Sequence, residues 1–255
     1  MFKIKHIPYK QFLITLLVGS LLIGCKSSKK INYFQDEKGH EIEENITLFQ
    51  PTIQFGDILT INVASTEPEA ALPFNIYESQ IGNLARPLPY IVNADGEINF
   101  PGLGKFKVAQ LTIKQVTDEL HKKLLPYLNN PIVNVRLNNF RVSVLGEVRN
   151  PGSYSVQSER INILEAIAQA GDLTIYGKRK TVTLIREQNG KRTSTTIDLT
   201  DKNLFSSPYY YLAQNDIIYV ESNKTRVNAS AVGPNTGIIV STLSILISLA
   251  AILVD

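Results

Sequence analysis

The sequence has very few residues of the kinds that build disulfides and metal sites. Cys25 is the only cysteine among the 255 residues, so no disulfide and no cysteine metal cluster can form within one chain. His6 lies near the start of an apolar leader, which leaves His40 and His121 as the only histidines of the body. This count excludes a His-rich zinc site and a Cys–His nucleophile pair. We therefore expect no metal and no other cofactor.

The body of the chain also lacks an excess of basic charge. The formal net charge is +3, and Lys3, Lys5 and Lys10 account for all of it because no acidic residue precedes or accompanies them in the leader. Binding to nucleic acid depends on a basic face that releases counterions from the phosphates. The remainder of the chain is neutral overall, so we predict that nucleic acid is not a partner.

No residue pattern of an active site is present in the sequence. The stretch Gly102-Leu103-Gly104 is too short for a dinucleotide fingerprint and leads into a strand, so we interpret it as a turn. Ser153 lacks the following glycine of a nucleophile elbow. The acidic pairs at 36–37 and 43–44 are neighbours in sequence and cannot converge on a substrate as an acid/base pair must. We predict no catalytic residue and a protein that is not an enzyme.

The N-terminal residues 1–24 predict a lipoprotein signal peptide. A positive region precedes an apolar stretch over 11–24 that is short for a membrane span. The stretch ends on Leu22-Ile23-Gly24-Cys25, which is similar to the bacterial lipobox, where the cysteine receives diacylglycerol before cleavage. We predict lipidation at Cys25 and a lipidated tether over 25–47. The alternative is an uncleaved anchor with a chance cysteine.

Residues 48–138 predict a small unit of strands with one helix. Asp95-Gly96 indicates a hairpin between the two strands that flank it. A helix is predicted to begin at Thr112, because its hydroxyl and the side chain of Gln115 can form a capping box. A closing strand follows and gives the order ββ-helix-β.

Residues 139–222 predict a second unit of the same kind. Asn162 is the expected N-cap of a short helix, with Glu165 completing the capping box and Gly171 as a left-handed stop. Asn189-Gly190 predicts a tight hairpin. The apolar faces of these strands and helices can be buried by packing one helix on one sheet in each unit. The predicted fold class is therefore α+β, with two small sheet-plus-helix domains.

The C-terminal residues 237–254 form a second apolar stretch, after a linker over 223–236. As a helix it would be about 27 Å long, against about 30 Å for a hydrocarbon core, so we predict a C-terminal transmembrane helix. Ser241, Ser244 and Ser248 fall on one stripe of this helix and are candidates for lumen lining or helix packing. The alternative is an ordinary apolar anchor whose serines bond their own carbonyls.

Tyr209, Tyr210 and Tyr211 form the one aromatic cluster of the sequence. Tyrosine rings can stack against sugars, and tyrosine is also common at packed interfaces. These residues are therefore candidate glycan-binding or interface aromatics.

The order of these elements resembles the polysaccharide export family of outer-membrane lipoproteins, the Wza type. For the export domain the similar stretches are "FGDILTINV" (55–63), "VNADGEINFPGLGKFKVAQLTIKQV" (92–116) and "NPIVNVRL" (130–137). For a soluble-ligand-binding β-grasp domain they are "VLGEVRNPGSYSV" (144–156), "ILEAIAQAGDLT" (163–174) and "NDIIYV" (215–220). On this resemblance, 48–138 is the export domain and 139–222 the β-grasp domain.

The resemblance implies an oligomeric conduit that carries capsular or exopolysaccharide across the periplasm and the outer membrane. The expected partners are copies of the chain in a ring, the polysaccharide, outer-membrane lipid and an inner-membrane polysaccharide co-polymerase. The body would lie in the periplasm, lipid-anchored to the outer membrane. The chain departs from the best-known members in having one β-grasp unit and a short final helix. The alternative is a non-pore envelope lipoprotein that binds a glycan or protein through its β-grasp domain.

Overall fold

The computed structural model describes residues 32–35, 49–78, 86–188, 190–231 and 236–253. Within these ranges the buried apolar side chains form two clusters, one from residues 53–135 and one from residues 140–220. Each cluster lies between a sheet and a helix, so the mixed α+β architecture with small domains is confirmed. We refer to residues 49–138 as the first unit and to residues 139–222 as the second unit.

The first unit is built around a central strand. Its elements are β1 (Ile58–Ala64), α1 (Pro68–Ala71), a 3-10 turn (Leu72–Phe74), β2 (Tyr90–Ile91), β3 (Glu97–Phe100), β4 (Gly104–Lys107), α2 (Ile113–Leu124) and β5 (Ile132–Leu137). Strand β1 pairs antiparallel with β2 and β5 in the order β2-β1-β5. Strands β3 and β4 form a separate hairpin.

The predicted hairpin across Asp95-Gly96 is wrong. The turn forms, with Gly96 at a φ of 77°, but the strands on its two sides pair with different partners, β2 with β1 and β3 with β4. The hairpin lies one turn later, where Leu103 N donates to Phe100 O at 3.2 Å. Strand β2 pairs with β1, whose residues alternate between buried and more exposed. The residues of the Asp95-Gly96 turn do not indicate this pairing.

Helix α2 begins as its sequence predicts. Gln115 N donates to the Thr112 hydroxyl at 3.2 Å, and Thr112 N donates to the Gln115 side chain at 2.8 Å. This capping box satisfies two backbone donors of the first turn. The helix then buries Val116, Leu120 and Leu124 against the sheet, each with no exposed surface.

The second unit contains a five-stranded sheet. Its elements are β6 (Arg141–Gly146), β7 (Gly152–Ser155), α3 (Ile163–Gln169), β8 (Gly177–Gln188), β9 (Lys191–Ile197), a 3-10 turn (Lys202–Ser206) and β10 (Ile217–Ser222). The strand order is β7-β6-β10-β8-β9, with β6 and β10 parallel and the other pairs antiparallel. The predicted Asn162–Glu165 capping box is confirmed. The predicted hairpin is also confirmed, since Gln188 pairs with Lys191.

The two units are joined by hydrogen bonds around Asn139. Ile58 N donates to the Asn139 side-chain oxygen at 2.9 Å, at the start of β1. The Gln214 amide donates to Asn139 O at 2.6 Å, and its oxygen accepts from Arg141 N at 2.9 Å. One short segment is thus bonded to the start of β1 in the first unit and to the loop before β10 in the second.

Two helices follow the second unit, α4 (Lys224–Ala231) and α5 (Thr236–Leu253). Helix α4 occupies part of the predicted linker over 223–236, and Asn223 accepts from Arg226 N in its first turn. The prediction of a transmembrane helix over 237–254 is not supported. Within the described ranges, no helix combines the length and the apolar character that crossing a membrane needs.

Candidate functional site

The same turn occurs in both units, directly before strand β1 and directly before strand β10. In each turn an aspartate carboxylate accepts from the backbone N–H three residues earlier, Gln54 N to Asp57 at 2.8 Å and Ala213 N to Asp216 at 2.8 Å. The residue before each aspartate has a positive φ, 80° in the first turn and 64° in the second. Glycine and asparagine occupy these two positions, and both tolerate the left-handed region. Each turn therefore fixes the entry into its strand.

Both aspartates of these turns are buried, Asp57 with 1% and Asp216 with 0% of its surface exposed. Burial raises the pKa of Asp57 to about 6, although hydrogen bonds from Gln54 N–H and the Gln214 side chain oppose the rise. Burial also raises the pKa of Asp216, against the opposing hydrogen bonds and charge of Arg186. The two carboxyl groups therefore have a structural role, because neither is exposed to a substrate.

Arg186 satisfies the buried carboxylate of Asp216. Its Nε donates to both carboxylate oxygens at 3.0 and 3.1 Å, and its Nη2 donates to Oδ2 at 2.7 Å. Nη2 also donates to Tyr211 O at 3.0 Å. The guanidinium lies over the Tyr209 ring, 5.7 Å from its centroid. This forked pair fixes the loop between the 3-10 turn and β10, and no sequence pattern pointed to it.

The three candidate tyrosines lie together, and their rings contact other side chains of the same chain. Tyr211 stacks on Phe49, with centroids 5.9 Å apart and planes at 5°. Tyr210 packs edge-on against Tyr211 at 5.0 Å and against Phe205 at 5.5 Å. All three are half-buried. This packing is what the interface alternative expects, and the glycan-binding role of Tyr209, Tyr210 and Tyr211 stays a prediction.

Residues 32–35 of the predicted tether pack on the second unit. The Tyr33 hydroxyl donates to the Asp172 carboxylate, and burial together with that bond raises the pKa of Tyr33. Phe34 stacks on Phe205 with centroids 5.0 Å apart. Gln35 N donates to Thr200 O at 2.9 Å. The N-terminal segment is thus attached to the unit that comes second in the sequence.

The three candidate serines all bond within helix α5. Ser241 donates to Ile238 O at 2.9 Å, Ser244 to Val240 O at 2.8 Å and Ser248 to Ser244 O at 2.9 Å. Such bonds are what the alternative of an ordinary apolar helix expects. The lumen-lining or packing role of Ser241, Ser244 and Ser248 remains a prediction, because it concerns contacts with other copies.

Two further expectations concern lipid and metal. Cys25, the predicted lipidation site, lies outside the described residues, as does the signal peptide over 1–24. Among the residues that the structure describes, no group of three His, Cys, Asp or Glu side chains could hold a metal ion.

An open cleft of about 860 Å³ lies between the two turns and the tip of the β8–β9 hairpin. Phe55 and Gln214 contribute from the turns, and Gln188, Lys191 and Arg192 contribute from the hairpin. Sequence reasoning missed this cleft because its walls come from segments more than 130 residues apart, such as those of Phe55 and Lys191. One sequence signal could have indicated the cleft: the Asp-Ile dipeptide that occurs at the start of both β1 and β10.

Two family profiles match the chain in succession. Residues 50–138 match the family described as polysaccharide biosynthesis/export protein, and residues 140–220 match the SLBB domain family. These ranges contain the two hydrophobic clusters one after the other.

Two curated relatives are similar over most of this chain. The EPS I polysaccharide export outer membrane protein EpsA of Ralstonia nicotianae is 30% identical over 195 residues, which cover 71% of this chain and 50% of the relative. The protein of the same name from Ralstonia solanacearum is 30% identical over 195 residues, covering 71% of this chain and 51% of the relative. The chain spans about half the length of these relatives. The two successive matches and the two relatives together show that this chain belongs to the polysaccharide export family.

Proposed function

We propose that the chain is a subunit of an oligomeric conduit that exports capsular or exopolysaccharide through the periplasm to the outer membrane. The main observation behind this proposal is that the two units matched by family profiles follow each other directly in the chain. Hydrogen bonds around Asn139 join them. The relatives are named as outer membrane proteins that export a polysaccharide, and this supports the same location and cargo here. Because the family is one of export proteins, the mechanism we propose is passage, with no bond made or broken.

In this proposal the chain is anchored to the outer membrane by lipid on Cys25, and its body lies in the periplasm. Two or three acyl chains give stable anchoring where one does not. Identical subunits form a ring whose first units enclose the passage. An inner-membrane polysaccharide co-polymerase is the proposed supplier of the polymer.

Helix α5 supports the oligomeric part of the proposal. Its apolar side chains are exposed on the single chain, for example Ile238 at 64% and Leu243 at 57%. Large exposed apolar surfaces mark sites of protein or membrane contact. We propose that copies of α5 pack on one another and on outer-membrane lipid in the assembly, with Ser241, Ser244 and Ser248 between neighbouring helices or facing a lumen.

Export from cells tests this proposal. A strain without the chain should lose surface polysaccharide, the full chain should restore it, and the Cys25→Ala variant should restore little because the protein is not held at the membrane. Ser27→Ala, two residues away, is the matched control and should restore export fully. Normal surface polysaccharide in the strain without the chain would reject the export role.

A further inference from the structure

The cleft between the two units has walls that are fixed before any ligand arrives. The turn that carries Phe55 is closed by the Asp57 carboxylate, and the turn that carries Asn215 is closed by Asp216. The third wall is the tip of the β8–β9 hairpin, which is paired through to Gln188 and Lys191. At about 860 Å³ the cleft falls within the range of about 300–1,000 Å³ that is common for ligand sites.

Phe55 gives this cleft one apolar platform. Its side chain is 49% exposed, although a phenylalanine gains more from burial than from contact with water. One edge of the ring lies close to Gly96, where a Cβ would be only 3.1 Å from the Phe55 Cε1. An exposed ring at the wall of this cleft offers a face against which the C–H groups of a pyranose can lie.

The polar groups around this platform are free to bind. Asn215 is exposed, and its side chain has no bonding partner within the described residues. The Gln188 amide reaches only Thr52, at 3.4 Å, so its donors and acceptor are nearly unused. Planar amides provide paired donors and acceptors of the kind that match vicinal hydroxyls. A few such groups beside an apolar surface are what orient a ligand in a site.

The charge of the cleft decides which sugars it prefers. Glu187 is paired with Arg192 across the hairpin tip, which neutralises both. Lys191 has no acidic partner in the part of the chain that the structure describes, and it lines the cleft. One uncompensated ammonium therefore remains among the residues that line the cleft with Phe55. A carboxylate is the group that complements it.

We propose that the cleft binds a short segment of an acidic polysaccharide, with a sugar ring on Phe55, hydroxyls on Gln188 and Asn215, and a uronate-type carboxylate on Lys191. This inference rests on the proposed function and deepens it, because it names a contact for the exported polymer and its chemical class. An acidic peptide could satisfy Lys191 and the amides, but an extended polyglutamate has no ring of C–H groups to lie on Phe55.

Calorimetric titration of the full chain in detergent tests this proposal, with an oligogalacturonate as the probe and a neutral maltooligosaccharide of equal length beside it. Phe55→Ala and Phe55→Leu should each weaken oligogalacturonate binding about twofold to twelvefold, because both remove the planar face. Phe55→Leu retains an apolar side chain, so a loss of binding with unchanged melting temperature separates the lost platform from a lost fold. Tyr127→Ala removes an aromatic residue that is 60% exposed elsewhere in the first unit and should bind as the unaltered chain does.

The charge is tested in the same titration. Lys191→Gln should weaken oligogalacturonate binding about twofold to fivefold and reduce its sensitivity to salt, and Lys123→Gln on helix α2 is the matched control. Absence of oligogalacturonate binding, or equal binding by the Phe55 variants, would overturn the proposal. Equal affinity for the neutral oligosaccharide, or displacement by an equal concentration of hexaglutamate, would also overturn it.

These results are separable from the failure of the proposed function. Loss of export without the chain, combined with unaltered binding by the Phe55 variants, would reject only the cleft. Binding that depends on Phe55 and Lys191, combined with normal export without the chain, would reject only the conduit.

Discussion

Replacing Arg186 by methionine removes the partner of a fully buried carboxylate. In the native protein Asp216 receives three hydrogen bonds from Arg186, at 2.7 to 3.1 Å, and one from Ala213 N. The variant leaves only the last of these on a side chain with 0% exposure. Removing one partner of a buried ion pair lowers the free energy of unfolding by about 3–5 kcal/mol. We expect a loss of that size for the second unit, measured by urea unfolding of the full chain in detergent.

Two controls make this prediction specific. Arg192→Met removes an ion pair of the same hairpin whose side chains are 73% and 63% exposed, so its loss should stay within about 1 kcal/mol. Adding Asp216→Asn to Arg186→Met should recover much of the stability, because the amide oxygen still accepts from Ala213 N and no charge remains buried.

The pH dependence gives a further check on the Arg186 variant. Without the guanidinium, the pKa of Asp216 rises further above that of the unfolded chain, since only burial and one hydrogen bond remain. The folded state then holds its proton more tightly than the unfolded state. The variant should therefore be closest to the unaltered protein at low pH and lose stability as the pH rises. A loss below about 1 kcal/mol at pH 8, equal to that of Arg192→Met, would refute the reasoning.

Three other substitutions test separate parts of the structure. Asp57 has a pKa of about 6 against 3.8 for the ordinary group, so its contribution to the unfolding free energy declines by about 2 kcal/mol as the pH rises from 4 to 6. Asp57→Asn should abolish that decline in urea titrations, and an unchanged slope would contradict it. Gly146→Ala places a Cβ 2.0 Å from Val220 O at a φ of 89°, so its melting temperature should fall sharply, and an unchanged value would disprove the close β6–β10 approach. Tyr33→Ala removes the bond to Asp172, so limited proteolysis should cut the N-terminal segment faster, and equal rates would show that the segment is not attached.

The parts of the fold that sequence predicts well are those decided by near neighbours. The capping boxes at Thr112 and Asn162 need only residues three positions apart, and the β8–β9 turn needs only the four residues that close it. These signals hold because the groups that bond are already adjacent, and at Asp95-Gly96 the local turn likewise forms although the flanking strands do not pair with each other. The pairing of β2 with β1 is different, since it depends on which strand is available in the folded unit.

The candidate site was harder to predict for the same reason. Arg186 and Asp216 are 30 residues apart, and the rings of Phe49 and Tyr211, which stack on one another, are 162 residues apart. The tyrosine cluster can be recognised in the sequence from three consecutive tyrosines. Whether their rings face a sugar or another side chain depends on these distant partners. The cleft that contains Phe55 has no signature of its own, although the turn that supports it occurs twice.

Electron microscopy of the full-length chain, extracted from membranes in detergent, tests the central claim most directly. The account predicts rings of identical subunits with a continuous central channel, in which the first units enclose the passage. Monodisperse single chains without a channel would contradict the conduit and favour a lipoprotein that binds a glycan or protein partner without forming a pore.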